Sequence, residues 1–186
     1  MSEIIINGGS SSYISELSEF KNGFPKGVIN KVSADVGGTY WAINCDVPYI
    51  VVVPTLDLLS SICNDKNNTK EVFRVDGDTV IDDFKNQDKI VVTYDSFRKL
   101  TSWIKDHNKY KVLIDEYHLL LESIDYREDA IENLLSSILK YNCYTFITAT
   151  PNSPRFEIPQ LRLLDHYKIT WDNLNKINPI RIKCAR

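Results

Sequence analysis

Short apolar runs that are rich in β-branched residues constrain the fold of this chain more than any other feature. Turn residues bound most of these runs, and a helix-like stretch usually follows. Runs that stay apolar at consecutive positions predict strands that are buried on both faces. The runs are Val28–Val32, Tyr49–Val53, Val72–Val75, Lys89–Thr93, Lys111–Ile114, Tyr144–Thr148 and Tyr167–Trp171. Because strands alternate with helices, the sequence predicts an α/β fold with a doubly wound, mostly parallel sheet.

Helices of unequal strength are predicted between the strands. Arg127–Tyr141 is the strongest, because its apolar residues recur at helical spacing and form one face. The others are Thr55–Cys63 with Thr55 as its cap, a helix from Asp95 or Ser96 to about Asp106, and the modest Thr79–Asn86.

The length of 186 residues suits one domain with a sizeable core. We expect residues 25–155 to carry the motifs, after an N-terminal extension over residues 1–24 and before a C-terminal segment over residues 156–186. No apolar run is long enough to span a membrane, and residues 1–12 do not read as a secretory signal.

The cysteines and the charges bear on location and partners. The four cysteines form no CxxC pair and no zinc-ligand spacing with histidine, so we expect a reduced, cytoplasmic protein. The net charge is −3, but residues 151–186 are basic. This basic end either approaches phosphate groups or is a solvated terminal segment.

Polar motifs follow the predicted strands where each strand ends. In a parallel sheet these ends share one edge, and ligands bind beyond that edge. A turn explains any one motif, but not a whole row of them. The motifs are Ala34–Thr39, Pro54–Thr55, Thr93–Asp95, Asp115–Glu116 and Thr148–Thr150.

The acidic pair Asp115–Glu116 follows a buried strand. An acid at such a position can hold Mg²⁺, because hard cations prefer oxygen ligands. A neighbouring acid can orient and deprotonate an attacking water. The alternative is a pair of surface acids in which the glutamate starts a helix.

The motifs together resemble those of superfamily 2 helicases. The segment VLIDEYH is similar to motif II, the Walker B box, in its DExH form, and YTFITATP is similar to motif III. The segments VVVPTLDLL and IVVTYDSFRKL resemble motifs Ia and Ib. Their order and spacing over about residues 25–155 are those of the first, RecA-like ATP-binding domain.

The resemblance implies a role for each motif. Asp115 and Thr39 would hold Mg²⁺, and Glu116 would activate water for ATP hydrolysis. Motif III, which is Thr148, Ala149 and Thr150, would couple nucleotide state to domain movement. Single-stranded nucleic acid would run past the ends of motifs Ia and Ib, although the threonines there are equally explained as strand-end caps. The residues of that path are Pro54, Thr55, Thr93 and Tyr94.

The loop that should cradle the phosphates departs from the family pattern. A P-loop uses glycines for a tight turn, a lysine for β/γ charge and a Ser or Thr for Mg²⁺. Aligned on Gly-Lys-Thr, the chain reads Gly37-Gly38-Thr39, and Asp35 adds a negative charge. An ordinary flexible turn is the alternative interpretation. The candidate nucleotide-binding residues are Asp35, Val36, Gly37, Gly38, Thr39 and Tyr40.

The missing lysine raises the question of a replacement. Lys26, Lys31, Arg155 or a residue of a partner domain could supply the charge, and the sequence does not choose among them. Replacing Gly38 with lysine is expected to tighten nucleotide binding by about tenfold or more. Upstream, Phe24 either stacks on a base or belongs to the core.

These features leave more than one function open. The first is the initial motor domain of a DExH-type helicase or translocase, active as an NTPase once a second RecA-like domain or partner subunit completes it. About 30 residues follow motif III, too few for such a domain, so we expect the chain alone to be nearly inactive. The second is a catalytically inactive RecA-like binding or assembly module. A Mg²⁺-dependent phosphohydrolase that uses the acids without a P-loop is a weaker third.

Overall fold

Parallel strands build the molecule, a computed structural model that describes residues 3–84, 87–122, 124–151 and 158–172. Eight described strands form one sheet in the order β1-β8-β2-β7-β6-β3-β5-β4, and every pairing among them is parallel. The strands are β1 (Glu3–Gly9), β2 (Gly27–Asn30), β3 (Tyr49–Val53), β4 (Phe73–Val75), β5 (Lys89–Thr93), β6 (Lys111–Asp115), β7 (Cys143–Thr148) and β8 (His166–Trp171).

Helices cover both faces of this sheet. They are α1 (Gly38–Asn44), α2 (Leu56–Cys63), α3 (Phe97–Trp103), α4 (His118–Glu122) and α5 (Ile124–Ile138). Short 3₁₀ turns lie at Ile14–Glu16, Ser18–Phe20, Ile81–Asp83, His107–Lys109 and Pro159–Leu163. No helix in the described residues is long and apolar enough to cross a membrane.

The side chains of β3 show why the apolar runs are continuous. Ile50 and Val52 point into a core beneath α3 and α5, whereas Tyr49, Val51 and Val53 point into a second core beneath α1 and α2. All five side chains are fully buried, as a central strand with two covered faces requires. The predicted doubly wound α/β fold is therefore confirmed.

Several predicted element bounds are wrong. The helix over Thr79–Asn86 is a 3₁₀ turn at Ile81–Asp83 in the part of it that the structure describes, and no apolar face holds it. The strand predicted over Val28–Val32 is β2, and it ends at Asn30. The helix α3 ends at Trp103, because Ile104 is extended and turns into the core. The helix α5 begins at Ile124 instead of Arg127.

The N-terminal segment takes part in the sheet and the core. β1 pairs with β8 along its length, although the sequence did not predict it as a strand. Ile14, Leu17 and Phe20 are buried in the core beneath α1. The N-terminal segment therefore packs against α1 and the loop that precedes it.

Candidate functional site

Sheet topology brings the polar motifs together. Because all described strand pairs are parallel, the loops after β2, β3, β5, β6 and β7 open at the same edge. β7 lies between β2 and β6, so the end of motif III separates the loop after β2 from the acidic pair. The side chains of these three segments meet above β7.

The loop after β2 makes two left-handed turns before α1. Gly37 has a φ of 76° at the N-cap of α1, which glycine adopts without strain. Val32 has a φ of 64°, which is costly for a β-branched residue. Val32 occupies the position of the first glycine in the Gly-x₄-Gly-Lys-Thr pattern. That five-residue spacing was a signal available in the sequence, and our sequence analysis missed it.

Thr39 and Asp115 are in direct contact. Thr39 Oγ1 donates a hydrogen bond to Asp115 Oδ2 at 2.6 Å, and the backbone N–H of Glu116 donates to Asp115 Oδ1 at 3.0 Å. Burial raises the pKa of Asp115, opposed by the positive charge of Lys31 and the hydroxyl of Thr39. A hydroxyl and a carboxylate at this distance fit Mg²⁺, which commonly takes few protein ligands and completes its shell with phosphate and water.

The described residues contain no larger cluster of metal-ligating side chains, at this edge of the sheet or elsewhere. No group of three or more histidine, cysteine or acidic side chains is arranged there to hold a metal ion. The acid-rich centre that a phosphohydrolase without a P-loop would use is not seen in that part of the chain.

Glu116 is engaged at both carboxylate oxygens. Its Oε1 lies 2.9 Å from Lys31 Nζ, and its Oε2 accepts a hydrogen bond from Thr148 Oγ1 at 2.9 Å. His118 Nδ1 lies 2.8 Å from the same Thr148 hydroxyl and 3.3 Å from Glu116 Oε2. Since the hydroxyl has one proton, which it donates to Glu116, His118 must present an Nδ1–H to it. Motif II and motif III are thus joined through the fully buried Thr148.

Of the described lysines that the sequence left open as replacements, the structure brings Lys31 to the acidic pair. Lys31 is 4% exposed, and its Nζ also lies 3.9 Å from Asp115 Oδ1. Lys26 lies at the opposite edge, where its Nζ sits 4.5 Å above the ring of Tyr144. Arg155 is outside the described residues. Lys31 is therefore the candidate cation that touches both acids.

Gly38 lies in an apolar contact. It is the first residue of α1 and has no left-handed φ, so backbone strain does not require glycine there. A Cβ at this position would lie 3.0 Å from Ile147 Cδ1 and 3.4 Å from Ile14 Cδ1. The tenfold gain expected from a lysine at position 38 stays a prediction, and the new Cβ must first displace Ile147 Cδ1.

Phe24 belongs to the core. Its ring is fully buried and packs against Phe20, Trp41 and Tyr49, with centroid distances of 5.0, 4.9 and 6.2 Å. The interpretation that it stacks on a base is therefore wrong.

Two exposed tyrosines lie beside the loop instead. Tyr13 is 53% exposed and Tyr40 is 46% exposed, and together with Gly37 and Asn67 they line a cavity of about 400 Å³. Tyr13 was missed because it precedes the motif-bearing part of the sequence, and nothing in the sequence placed it next to Gly37.

The residues expected along a nucleic-acid path are mostly inside the protein. Thr93 is 5% exposed and Pro54 is buried. Thr55 is exposed, and its hydroxyl caps α2 by accepting from the Leu58 N–H at 3.2 Å. Thr55 therefore acts as a cap at the end of β3, which was the alternative to a contact with nucleic acid.

Tyr94 is buried as well, so the prediction that it contacts nucleic acid at the surface is wrong. Its hydroxyl donates to the carbonyl oxygen of Asp115 at 2.5 Å, and it lies 3.2 Å from that of Glu116. Burial raises the pKa of Tyr94 far above its ordinary value, so the phenol remains a donor. Tyr94 thereby ties motif Ib to motif II beneath the acids.

Comparison with known proteins supports the fold. No protein family and no curated protein matches the chain. Among solved structures, the chain is similar to a hypothetical ATP-dependent RNA helicase from Sulfolobus tokodaii, with 20% identity and a TM-score of 0.55 over 78% of this chain and 48% of that one. It is also similar to the UvsW helicase from bacteriophage T4, with 15% identity and a TM-score of 0.46 over 79% of this chain and 54% of that one.

The chain spans about half the length of these two helicases. Its parallel strand order, with helices on both faces, agrees with the likeness to the Sulfolobus tokodaii protein. The chain therefore has a doubly wound, RecA-like fold.

Proposed function

We propose that this chain is the nucleotide-binding domain of a helicase-type motor, and that it binds Mg²⁺ and ATP at the carboxyl edge of its sheet. The contact between Thr39 Oγ1 and Asp115 Oδ2 at 2.6 Å carries this proposal. Asp115 is 4% exposed, and burying a carboxylate costs free energy that a folded core does not need to spend. A carboxylate held there beside a hydroxyl is suited to a divalent cation.

The residues around the contact divide the work of binding. The backbone N–H groups of the loop after β2 would face the phosphates, and Thr39 and Asp115 would hold Mg²⁺. ATP would bring the phosphoanhydride bond that water attacks, and Mg²⁺ would neutralise charge on its phosphates. The cavity between Tyr13 and Tyr40 is suited to the flat base, because both rings are exposed at its walls.

Glu116 is the proposed base for the attacking water. One of its oxygens accepts from Thr148, which holds the carboxylate in a fixed orientation. The other oxygen faces Lys31 and must be released before it can accept a proton. Because Thr148 is the last residue of β7, a movement of motif III changes the position of this base directly.

Nucleic acid and a second RecA-like domain are the proposed partners. Of the residues predicted along the nucleic-acid path, Thr55 is the exposed one, and exposed acids follow at Asp57 and Asp95. Acids near a phosphate backbone weaken its binding, so we expect weak, salt-sensitive and sequence-independent affinity for single strands. Titration of labelled single strands at two salt concentrations measures it, and tight binding that ignores salt would contradict it.

Calorimetry with ATP and Mg²⁺ tests the nucleotide site. We expect the wild-type chain to bind ATP with a Kd below the millimolar range. Asp115→Asn should bind ATP at least about tenfold more weakly, a loss of about 1.4 kcal/mol in binding free energy. Asp46→Asn is the matched control, because Asp46 is an exposed acid at the opposite edge. If the folded wild-type chain binds no ATP at millimolar concentration, the proposal is wrong.

A second function is favoured by one observation. Lys31 and Thr148 engage both oxygens of Glu116, as a site without hydrolysis would allow. The chain would then be an inactive RecA-like binding or assembly module. Steady-state turnover separates the two functions once the second domain or subunit is supplied. Sustained ATP hydrolysis that Glu116→Gln abolishes supports the motor, and its absence supports the module.

A further inference from the structure

We propose that Lys31 is the lysine of the phosphate loop, displaced from the start of α1 to the end of β2, and that it binds the β- and γ-phosphates of the nucleotide. This inference rests on the proposed nucleotide site. It assigns to Lys31 the charge that the Gly37-Gly38-Thr39 sequence lacks.

The position of the ammonium group is the first argument. Lys31 Nζ lies 2.9 Å from Glu116 Oε1 and 3.9 Å from Asp115 Oδ1. The other oxygen of Asp115 lies 2.6 Å from Thr39 Oγ1. The carboxylate of Asp115 therefore lies between the Lys31 ammonium group and the Thr39 hydroxyl. In a P-loop the lysine directly precedes this Thr, whereas Lys31 approaches Asp115 and Glu116 from the other end of the loop.

The backbone of Lys31 holds the side chain in this direction. Its N–H donates to the carbonyl oxygen of Thr148 at 2.9 Å. Its carbonyl oxygen accepts from Ser33 N–H at 2.7 Å and from Trp171 Nε1 at 2.9 Å. The left-handed Val32 then turns the chain away at once. Lys31 is therefore fixed by three hydrogen bonds and one strained neighbour.

Backbone strain is concentrated around this contact. Among the described residues other than glycine, Val32 and Glu116 have a positive φ, of 64° and 50°. Each such residue costs free energy, and such residues cluster where the chain positions functional groups. One lies next to Lys31 in sequence, and the other is the residue that its ammonium group contacts.

Packing at Gly38 leaves little room for a side chain at the usual place of the lysine. A Cβ at position 38 would lie 3.0 Å from Ile147 Cδ1, which would have to shift, and 3.4 Å from Ile14 Cδ1, which is a close contact. Ile14 is held there because its N–H donates to the carbonyl oxygen of Val36 at 2.8 Å. A glycine at position 38 is therefore compatible with a lysine at position 31 that supplies the positive charge.

The arrangement also links binding to the freeing of the base. Without nucleotide, the ammonium group of Lys31 neutralises Glu116 Oε1. When the ammonium group of Lys31 binds the phosphates instead, Glu116 Oε1 becomes available to accept a proton from water. A lysine at the start of α1 would not have to leave Glu116 in this way.

A pair of variants separates phosphate binding from simple charge balance. In Glu116→Gln, Lys31 loses the carboxylate that it faces, and in Lys31→Met/Glu116→Gln the pair is removed together, so that no unpaired carboxylate remains at position 116. We expect the double variant to bind ATP with Mg²⁺ at least about tenfold more weakly than Glu116→Gln, as loss of a charge-assisted contact predicts. Binding of AMP, which lacks the β- and γ-phosphates, should be the same in both.

Lys26→Met is the matched control, because Lys26 flanks the same strand at its other end. It should bind ATP like the wild type. Calorimetry measures the affinities, and circular dichroism confirms that each variant is folded. Equal ATP affinity in Glu116→Gln and the double variant would overturn the inference and leave Lys31 as a counter-ion. If the folded wild-type chain binds no ATP at all, the proposed function fails together with this inference.

Discussion

Two lysines are buried to a similar degree at opposite ends of the sheet. Lys31 follows β2 at the carboxyl edge and is 4% exposed, and Lys89 begins β5 at the amino edge and is 2% exposed. Lys89 Nζ donates to the carbonyl oxygens of Ala42 and Val47 at 2.6 Å each and lies 5.4 Å from the ring centroid of Tyr49. Lys31 Nζ faces the carboxylates of Asp115 and Glu116.

The two lysines differ in the type of their partners, and this difference separates a structural lysine from one with the proposed phosphate-binding role. Carbonyl oxygens of the backbone are neutral and fixed, so Lys89 joins the start of β5 to α1 and to the segment that follows α1. Carboxylates are charged side chains that can exchange one cation for another, and the Glu116 side chain is 25% exposed. Burial alone therefore does not distinguish the two lysines, whereas the type of acceptor does.

Lys31→Met should show the largest effect on stability. Without Mg²⁺, it leaves two carboxylates facing each other without their cation, and breaking a buried pair in this way costs about 3 kcal/mol. Millimolar Mg²⁺ should recover part of the loss, because a cation that binds the folded state stabilises it. Urea unfolding with and without Mg²⁺ measures both quantities. A loss that Mg²⁺ does not change would place Lys31 in the same class as Lys89.

Lys89→Met should destabilise the fold by about 2 kcal/mol, because two buried carbonyl oxygens lose a charged donor. The neighbouring cavity of about 340 Å³ can admit water to replace part of that donor. Mg²⁺ should make no difference to this variant in the same urea unfolding experiment. A Mg²⁺-dependent recovery here would break the distinction between the two lysines.

Gly38→Lys extends the comparison to the place where the loop lacks a lysine. We expect a loss of about 1 kcal/mol in the free energy of unfolding, because the Cβ would press on Ile147 Cδ1. Gly38→Lys/Ile147→Val removes that methyl group and should recover much of the loss. ATP affinity should rise by less than about tenfold in Gly38→Lys, since Lys31 already supplies a charge. A full tenfold gain with no loss of stability would show that position 38 is open.

The smallest effect concerns the pH dependence contributed by Lys89. Burial lowers the pKa of Lys89 below its ordinary value of 10.5. Between the lowered pKa and 10.5, the unfolded chain binds more protons than the folded one, so this lysine makes stability rise with pH. The wild type should gain stability relative to Lys89→Met across that window. Parallel urea titrations of the two proteins at several alkaline pH values measure the difference, and two parallel pH profiles would contradict it.

The strands and the acids could be read from the sequence because their signals are local. A run such as Tyr49–Val53 is apolar at every position, and that pattern fits a central strand with two covered faces. Asp115 and Glu116 follow such a run directly, and Thr39 follows two glycines. The positions of these residues at one edge then follow from the parallel strand order. By contrast, Thr79–Asn86 has helix-forming residues but no apolar face, so local preference misled the prediction.

Contacts between distant segments decide three features of the site. They decide which lysine lies beside the acids, which aromatic residues line the cavity, and that Tyr94 points inward. Lys31 meets Glu116 across 85 positions of the chain, and Phe24 N–H meets Tyr49 Oη across 25. Tyr13 reaches Gly37 because Ile14 packs against the loop, and no short-range pattern encodes that approach. Periodicity and motif spacing carry information within one element and its adjoining turn. Which side chains fill a shared space is settled by the packing of segments that are far apart in sequence, because two side chains cannot occupy the same volume.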